Sequence, residues 1–148
     1  MRIADIMTNP AIVVSSYSTI EDTSKIMSRH NIGSVPVVDD ADNVVGIVTD
    51  RDIVIRTVAR GLNPKTHKVH EIMTGEVKTV TPQTSIGEAA DIMANGKVRR
   101  LPVVDDNKII GVVALGDVAV TQDFAYETSQ ALSEISEGCH QKFSKNQY

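Results

Sequence analysis

Two turns in this sequence place polar side chains where a buried strand is predicted to run into a helix. In the first turn, Gly46-Ile47-Val48 leads directly into Thr49-Asp50-Arg51-Asp52. A threonine at this point caps a helix, and an acidic residue three positions later caps it in return. The same hydroxyl, helix start and Arg51 could instead hold a phosphate, while the carboxylate of Asp52 could accept both hydroxyls of a ribose. From these residues alone, a simple cap and a nucleotide site both remain open.

The second turn keeps the aspartate and loses the other polar groups. It runs Gly111-Val112-Val113-Ala114-Leu115-Gly116-Asp117, so Ala114 stands where the hydroxyl should be and Gly116 replaces the cation. One cap and one donor to a phosphate are lost. We therefore expect a weak or empty second site, in which Asp117 is a ribose contact or a remnant of one.

A cluster of basic residues precedes the strand that begins near Leu101-Pro102. Lys97-Val98-Arg99-Arg100 stands there, where the first half of the chain has the neutral Asn31-Ile32-Gly33-Ser34. Such a cluster is often only a solvated face, but arginine also offers planar, bidentate donors that suit a phosphate. Both interpretations remain open.

The sequence offers no pattern for catalysis or for a metal. His67 and His70 lie three residues apart, but no Cys, Asp or Glu at convincing spacing completes a metal site. The chain shows no nucleophile paired with a base and no Walker-type glycine loop. We expect a protein that is not an enzyme and requires no metal or cofactor.

An internal repeat organises these motifs. Ile6-Met7-Thr8 recurs as Ile72-Met73-Thr74, and Pro36-Val37-Val38-Asp39-Asp40 recurs as Pro102-Val103-Val104-Asp105-Asp106, both displaced by 66 positions. Self-similarity at one displacement indicates duplicated structural units. The predicted domains are 1–62 and 63–123, followed by a tail, 124–148, without a counterpart.

Each repeat is predicted to fold as strand, helix, hairpin and helix. In the first repeat, a strand over 11–14 precedes a helix that Thr19 caps and that ends near His30; two buried strands and a second helix ending at Arg60-Gly61 follow. The fold class is thus α+β, with two tandem β-α-β-β-α units. Because about 60 residues bury too little surface alone, we expect the units to dock by a pseudo-twofold axis with ligand clefts between them.

The tail is predicted to be an amphipathic helix. Apolar residues recur at helical spacing from Phe124 to Ile135, and Gly138 is a plausible stop. This helix could cover the second unit or pack on another subunit. Cys139 to Tyr148 is polar, and we expect it to fray.

Composition narrows the functional classes. The formal net charge is −4, which opposes nucleic-acid binding, and no apolar run is long enough to span a membrane. The N-terminus lacks the pattern of a signal peptide, and a single cysteine suits a reducing compartment. The sequence therefore predicts a cytoplasmic protein that binds neither nucleic acid nor membrane.

Together, the repeat, the Pro-Val-Val-Asp strand and the Gly-x-x-Thr-x-x-Asp turn resemble a pair of cystathionine-β-synthase-type (CBS) domains over residues 1 to about 123. Such a pair, a Bateman module, implies a sensor of adenosine ligands in which Thr49 faces phosphate and Asp52 holds the ribose. The resemblance also implies that adenine lies against the first strand and the segment before the Pro-Val strand, at Thr8, Ile12, Ile32, Gly33 and Ser34. It further implies that Arg99 and Arg100 reach across to phosphates of a ligand held by the other repeat.

The predicted function is therefore a non-enzymatic regulatory module that binds AMP, ADP or ATP, forms a homodimer and signals to a protein partner. Cyclic dinucleotides and nicotinamide dinucleotides share the same ribose and phosphate, S-adenosylmethionine shares the ribose, and all of these ligands remain open. The alternative is a structural or oligomerisation module whose ligand site is vestigial, with Ala114 as the first sign of decay.

Overall fold

The structure is a computed structural model that describes residues 1–121 and 125–144. The strands are β1 (Val14–Ser15), β2 (Ser34–Val38), β3 (Val44–Thr49), β4 (Arg100–Asp105) and β5 (Lys108–Ala114). The helices are α1 (Ile20–His30), α2 (Asp50–Ile53, continued by a π-helix over Val54–Val58), α3 (Ile86–Gly96), α4 (Leu115–Ala119) and α5 (Ala125–Ser144). Among the described residues, no helix is long and apolar enough to cross a membrane.

Two compact units divide the chain, and each contains a segment from the opposite repeat. The first-repeat unit comprises Ala11–Val77 with Asp106–Ile109. The second-repeat unit comprises Met1–Pro10, Lys78–Asp105 and the described residues from Ile110 onward. The compact units therefore do not follow a single cut near residue 62, because the N-terminal segments of the two repeats are exchanged.

In the first-repeat unit, three strands form a sheet in the order β1-β2-β3. β1 pairs parallel to β2 with Val14 opposite Val37, and β2 pairs antiparallel to β3 with Val35 opposite Val48. The first strand is shorter than the predicted 11–14 and begins only at Val14. The side chains of Val14, Val35, Val37 and Val48 are buried in one apolar cluster that covers the face of the sheet.

The second-repeat unit reproduces this pattern. β4 and β5 form a hairpin, and the first strand is reduced to a parallel bridge between Val80 and Val103, the repeat equivalents of Val14 and Val37. Its core contains Val103, Val113, Met93 and Ile86. The duplication predicted from sequence is therefore reproduced pair by pair.

The helices begin and end where local sequence predicts. The Thr19 hydroxyl accepts from the backbone N–H of Asp22 at the start of α1, and the Ser85 hydroxyl accepts from that of Glu88 before α3. A residue in the left-handed conformation follows each helix directly, Asn31 after α1 and Lys97 after α3. Such caps satisfy backbone groups that the helix itself leaves unpaired.

The exchanged Ile-Met-Thr segments pair with the edge of each hairpin. Thr74 exchanges two backbone hydrogen bonds of 2.9 Å with Ile47 in β3. Thr8 does the same with Val112 in β5, at 2.9 and 3.0 Å. Each segment thus satisfies backbone groups at an edge strand that would otherwise stay open.

Two glycines make this close approach possible. A Cβ added to Gly111 would lie 2.7 Å from the carbonyl oxygen of Thr8. A Cβ on Gly46 would lie 2.9 Å from the carbonyl oxygen of Thr74 and would also clash with Met73 Sδ. The glycine that recurs at this position in both repeats is therefore required for the exchanged segment to pack against the strand.

The ends of the second helix and of the tail helix differ from prediction. The helix that begins at Asp50 becomes a π-helix and ends at Val58, and Gly61 follows with a left-handed φ of 68°. The predicted stop of the tail helix at Gly138 is wrong, because α5 continues to Ser144. Phe124 and the last four residues of the predicted frayed end lie outside the described residues.

The C-terminal helix packs within the second-repeat unit, on α3 and α4. Ala131 and Ile135 are buried in the core of that unit. Of the two packings that the sequence left open, the covering of the second unit is therefore the one observed.

We predict that Gly111→Ala destabilises the protein by about 1–3 kcal/mol, the usual cost of overpacking a tight contact. The reason is that the nearest atom is a backbone oxygen, which cannot move without breaking the Thr8–Val112 pairing. Urea unfolding of Gly111→Ala measures the change. Gly75→Ala is the matched control, because its Cβ would meet nothing within 4 Å; equal stability of the two variants would contradict the packing role.

Candidate functional site

The turn at the start of α2 forms a reciprocal cap. The backbone N–H of Asp52 donates to the Thr49 hydroxyl at 3.0 Å, and the backbone N–H of Thr49 donates to Asp52 Oδ2 at 3.0 Å. The helix cap that the sequence suggests for this motif is therefore present in the structure. It occupies one carboxylate oxygen of Asp52 and leaves the other, Oδ1, for further contacts.

The segment before β2 lies directly against this turn. The backbone N–H of Asp50 donates to the carbonyl of Gly33 at 2.9 Å, and Ser34 pairs with Thr49 in the sheet. A Cβ on Gly33 would approach Asp50 Oδ2 to 3.1 Å, so the small residue makes room for this carboxylate. The structure thus brings together five of the predicted site residues, which are Gly33, Ser34, Thr49, Arg51 and Asp52.

An arginine outside the predicted set holds the aspartate in place. Arg56 Nε lies 3.8 Å from Asp52 Oδ1, and Arg56 Nη1 donates to the carbonyl of Ile72 at 2.9 Å. The side chain of Asp52 is only 15% exposed. Arg56 therefore connects the candidate ribose carboxylate to the exchanged segment that pairs with β3.

The remaining residues predicted for the first site divide between the two units. Ile12 and Ile32 are half-buried in the first-repeat unit, where Ile32 packs on the apolar cluster. Thr8 belongs to the second-repeat unit, where its backbone pairs with Val112. Arg99 and Arg100 are exposed in that same unit.

The second-repeat turn has the same backbone geometry with fewer polar groups. The backbone N–H of Ala114 donates to Asp117 Oδ2 at 2.8 Å, and that of Leu115 donates to the carbonyl of Arg99 at 2.8 Å, matching the contact between Asp50 and Gly33. The return bond of the cap is missing because Ala114 has no hydroxyl. The carboxylate position is thus kept and the hydroxyl position is lost, as the sequence predicts.

The two linker histidines make ordinary local contacts. His67 Nδ1 lies 3.1 Å from Glu71 Oε1, and His70 packs edge-on against the ring of Tyr17. The backbone N–H of Lys68, and secondarily His67, lower the pKa of Glu71 by donating to its carboxylate. Within the side chains that the structure describes, no group of three His, Cys, Asp or Glu residues could hold a metal ion.

Arg56 and a pocket that involves α5 were not predicted from the sequence. The signal for Arg56 was present, since it follows Asp52 by four residues on a predicted helix, the spacing of helical ion pairs. The pocket, of about 320 Å³, lies between the second-repeat turn and α5. No sequence pattern showed which surface α5 would cover.

Comparison with known proteins identifies the family. The CBS domain model matches this chain twice, at residues 3–57 and 69–121. The chain belongs to the CBS domain family, and its fold is that of a tandem CBS pair. The resemblance predicted from the repeat and its turns is confirmed.

Three relatives illustrate the match. The chain is 40% identical to the CBS domain-containing protein YhcV of Bacillus subtilis over 90% of this chain and 94% of that protein. It resembles the solved Hypoxic Response Protein I with two coordinated zinc ions, at 33% identity and a TM-score of 0.76, over 82% of this chain and 98% of that one. It also resembles the CBS domain pair of MJ0100 in complex with 5′-methylthioadenosine and S-adenosyl-L-methionine, at 31% identity and a TM-score of 0.71, over 80% of this chain and 97% of that one.

We predict that Thr49→Ala lowers the free energy of unfolding by about 0.5–2 kcal/mol, because it removes an N-cap hydroxyl. The converse variant Ala114→Thr supplies the missing hydroxyl in the second repeat and should raise stability by up to about 1 kcal/mol. Chemical denaturation of both variants measures the difference. A neutral Thr49→Ala would show that the hydroxyl does not serve as a cap in solution.

Proposed function

We propose that this protein is a non-enzymatic regulatory module that binds an adenine nucleotide at the first-repeat turn and signals its presence to a protein partner. AMP, ADP and ATP are the ligands we expect. We place this activity in the cytoplasm, consistent with a chain that has a single cysteine.

One observation carries the proposal. A hydrogen bond from the backbone N–H of Asp50 to the carbonyl of Gly33 brings the segment before β2 against the turn that bears Asp52. Arg56 and the backbone N–H of Thr49 hold the Asp52 carboxylate in one orientation. A carboxylate held in place loses little entropy when it accepts the two hydroxyls of a ribose. The exposed Arg51 lies one residue away and supplies a cation for phosphate.

The comparisons support the ligand class. One similar CBS pair, that of MJ0100, is solved in complex with two adenosine compounds. Ribose is common to those compounds and to AMP, ADP and ATP, and Asp52 would recognise that common part. The number of ligand phosphates that the site prefers would then depend on the cations near the turn, and Arg51 is one of these cations.

We predict that Asp52→Asn weakens AMP binding at least about tenfold, because a hydrogen bond to a charged group contributes about 1.5–3 kcal/mol. Asparagine keeps an oxygen that can accept from the Thr49 N–H, so the turn should still fold. Isothermal titration calorimetry with AMP, ADP, ATP and S-adenosylmethionine on a nucleotide-free preparation measures the affinities and ranks the ligands.

Asp117→Asn is the matched control, since Asp117 occupies the same position in the repeat that lacks the hydroxyl. We expect AMP affinity in this variant to stay close to that of the wild type. Equal AMP affinity in Asp52→Asn and the wild type would overturn the proposed site. Absence of binding by every ligand would favour the alternative, a structural or oligomerisation module.

A patch of apolar side chains supports the homodimer that we include in this proposal. Val54, Ile55 and Val58 are all exposed on the π-helical continuation of α2. Adjacent exposed apolar side chains on one helix are unfavourable in water and commonly mark an interface. We assign this patch to contact with a second copy of the chain.

We predict that Val58→Lys shifts the protein from dimer to monomer, because a lysine in an apolar interface loses hydration without gaining a partner. Sedimentation velocity across a concentration series measures the distribution. Tyr17→Lys is the control, since Tyr17 is exposed to a similar degree (66% against 69%) but lies outside this helix. A Val58→Lys protein with the wild-type distribution would contradict the assignment.

A further inference from the structure

Arg56 lies in the π-helix that continues α2, and its guanidinium group contacts two different parts of the first-repeat unit. Nε lies 3.8 Å from Asp52 Oδ1, and Nη1 donates to the carbonyls of Ile72 and Met73 at 2.9 and 3.4 Å. One half-buried side chain thus joins the candidate ribose carboxylate to the exchanged Ile-Met-Thr segment. All four residues belong to the same compact unit.

The two carbonyls come directly before the residue that pairs this segment with the sheet. Thr74 exchanges two backbone hydrogen bonds with Ile47 in β3. Hydrogen bonds from a charged donor are shorter and stronger than those between neutral groups. Arg56 therefore helps to hold the chain just before Thr74 against β3.

The second repeat makes the same exchange with a different residue at the position of Arg56. Thr121 stands there, four residues after Asp117, and its hydroxyl donates back to the carbonyl of Asp117 at 3.3 Å. The pairing of Thr8 with Val112 thus forms without an arginine at this position. The protein therefore contains the exchange once with the arginine and once without it.

The helical segment that carries Arg56 has two features of low local stability. The backbone N–H of Ala59 donates to the carbonyl of Val54, five residues back, a π-helical bond of a kind that is rare and frequent at functional sites. Beside Arg56, the hydroxyl of Thr57 is buried and has no hydrogen-bond partner among the described residues. An unpaired buried hydroxyl destabilises the conformation that buries it. Moving elements are drawn from such segments of low stability.

We propose that Arg56 couples Asp52 to the exchanged segment, so that a nucleotide bound by Asp52 stabilises the pairing of Thr74 with Ile47. This inference rests on the proposed function, from which it takes the ribose-binding role of Asp52. When the segment opens, Arg56 loses the carbonyls that orient it and no longer fixes the carboxylate. The ligand therefore binds the closed segment more tightly and, by linkage, opposes its opening. Arg56 acts as a positioning residue and need not touch the ligand.

Amide hydrogen exchange followed by NMR tests the coupling first without any ligand. The amides of Thr74 and Ile47 report opening of the segment, because each donates across the pairing. We expect Arg56→Gln to speed the exchange of both amides at least about tenfold, the usual effect of losing a hydrogen bond from a charged donor. Asp52→Asn should speed them less, and it should add nothing in the double variant with Arg56→Gln, because its effect passes through Arg56.

The second repeat supplies an internal reference for general loss of stability. The amides of Thr8 and Val112 form the equivalent pairing without the arginine. Their exchange in Arg56→Gln should rise far less than that of Thr74 and Ile47.

Two further variants control for charge and for folding. Arg60→Gln removes the same charge from an exposed residue just after the helix and should leave the exchange of Thr74 at the wild-type rate. Arg56→Lys keeps the charge but replaces two separate donors by one ammonium, so it should also speed the exchange of Thr74. This variant carries the test if the glutamine variant does not fold, which circular dichroism verifies.

The same measurement with AMP tests the connection to the ligand. Saturating AMP should slow the exchange of Thr74 in the wild type about fivefold or more, since couplings between sites begin near this size. In Arg56→Gln, at AMP concentrations that calorimetry shows to be saturating, this slowing should be absent.

The proposal is overturned if Thr74 and Ile47 exchange at the wild-type rate in Arg56→Gln, if Thr8 and Val112 speed up equally, or if the two substitutions act additively. Equal slowing of Thr74 by AMP in the wild type and in Arg56→Gln would also overturn it. If AMP does not bind, the nucleotide proposal fails, while the ligand-free rates still decide whether Arg56 joins Asp52 to the segment.

Discussion

The exchange of the two Ile-Met-Thr segments is the constraint on which the rest of the structure depends. Each segment pairs with the third strand of the opposite repeat, through Thr8 and Val112 in one unit and Thr74 and Ile47 in the other. Neither compact unit can therefore form from a single repeat. The exchange also requires glycine at positions 46 and 111, where a side chain would collide with the incoming backbone. A glycine that resembles part of a ligand motif thus has a structural reason to be present.

The two repeats share one backbone geometry and differ in the side chains at equivalent positions. In both, the first N–H of the helix after the hairpin donates to a carbonyl of the segment before the Pro-Val strand. On that shared scaffold the first repeat carries a hydroxyl, a carboxylate and a cation after β3, whereas the second carries two arginines before β4 and small residues after β5. A duplicated fold can therefore carry different side chains at equivalent positions without a change in topology.

Sequence reasoning predicted the features that follow local rules. The capped starts of α1 and α3, the end of α1 at His30 and the hairpins follow from short-range patterns, and the duplication follows from the repeat of two motifs. It did not predict the exchange, because the partner of an edge strand is chosen by long-range pairing that no local pattern encodes. It also missed the continuation of α5 through Gly138, where an intrinsic cost of about 1 kcal/mol for glycine in a helix does not decide the outcome. The role of Arg56 required coordinates, since its contact with Ile72 spans 16 residues.

The central claim is that the first-repeat turn is the nucleotide site, and a ¹H–¹⁵N NMR titration with AMP tests it most directly. Amide resonances report on each backbone position separately, so the titration locates the ligand as well as detecting it. We predict saturable shifts of the Gly33, Ser34 and Asp52 amides, which the structure brings together at this turn. Unshifted resonances at these positions under excess AMP, or shifts confined to Leu115–Asp117, would contradict the account.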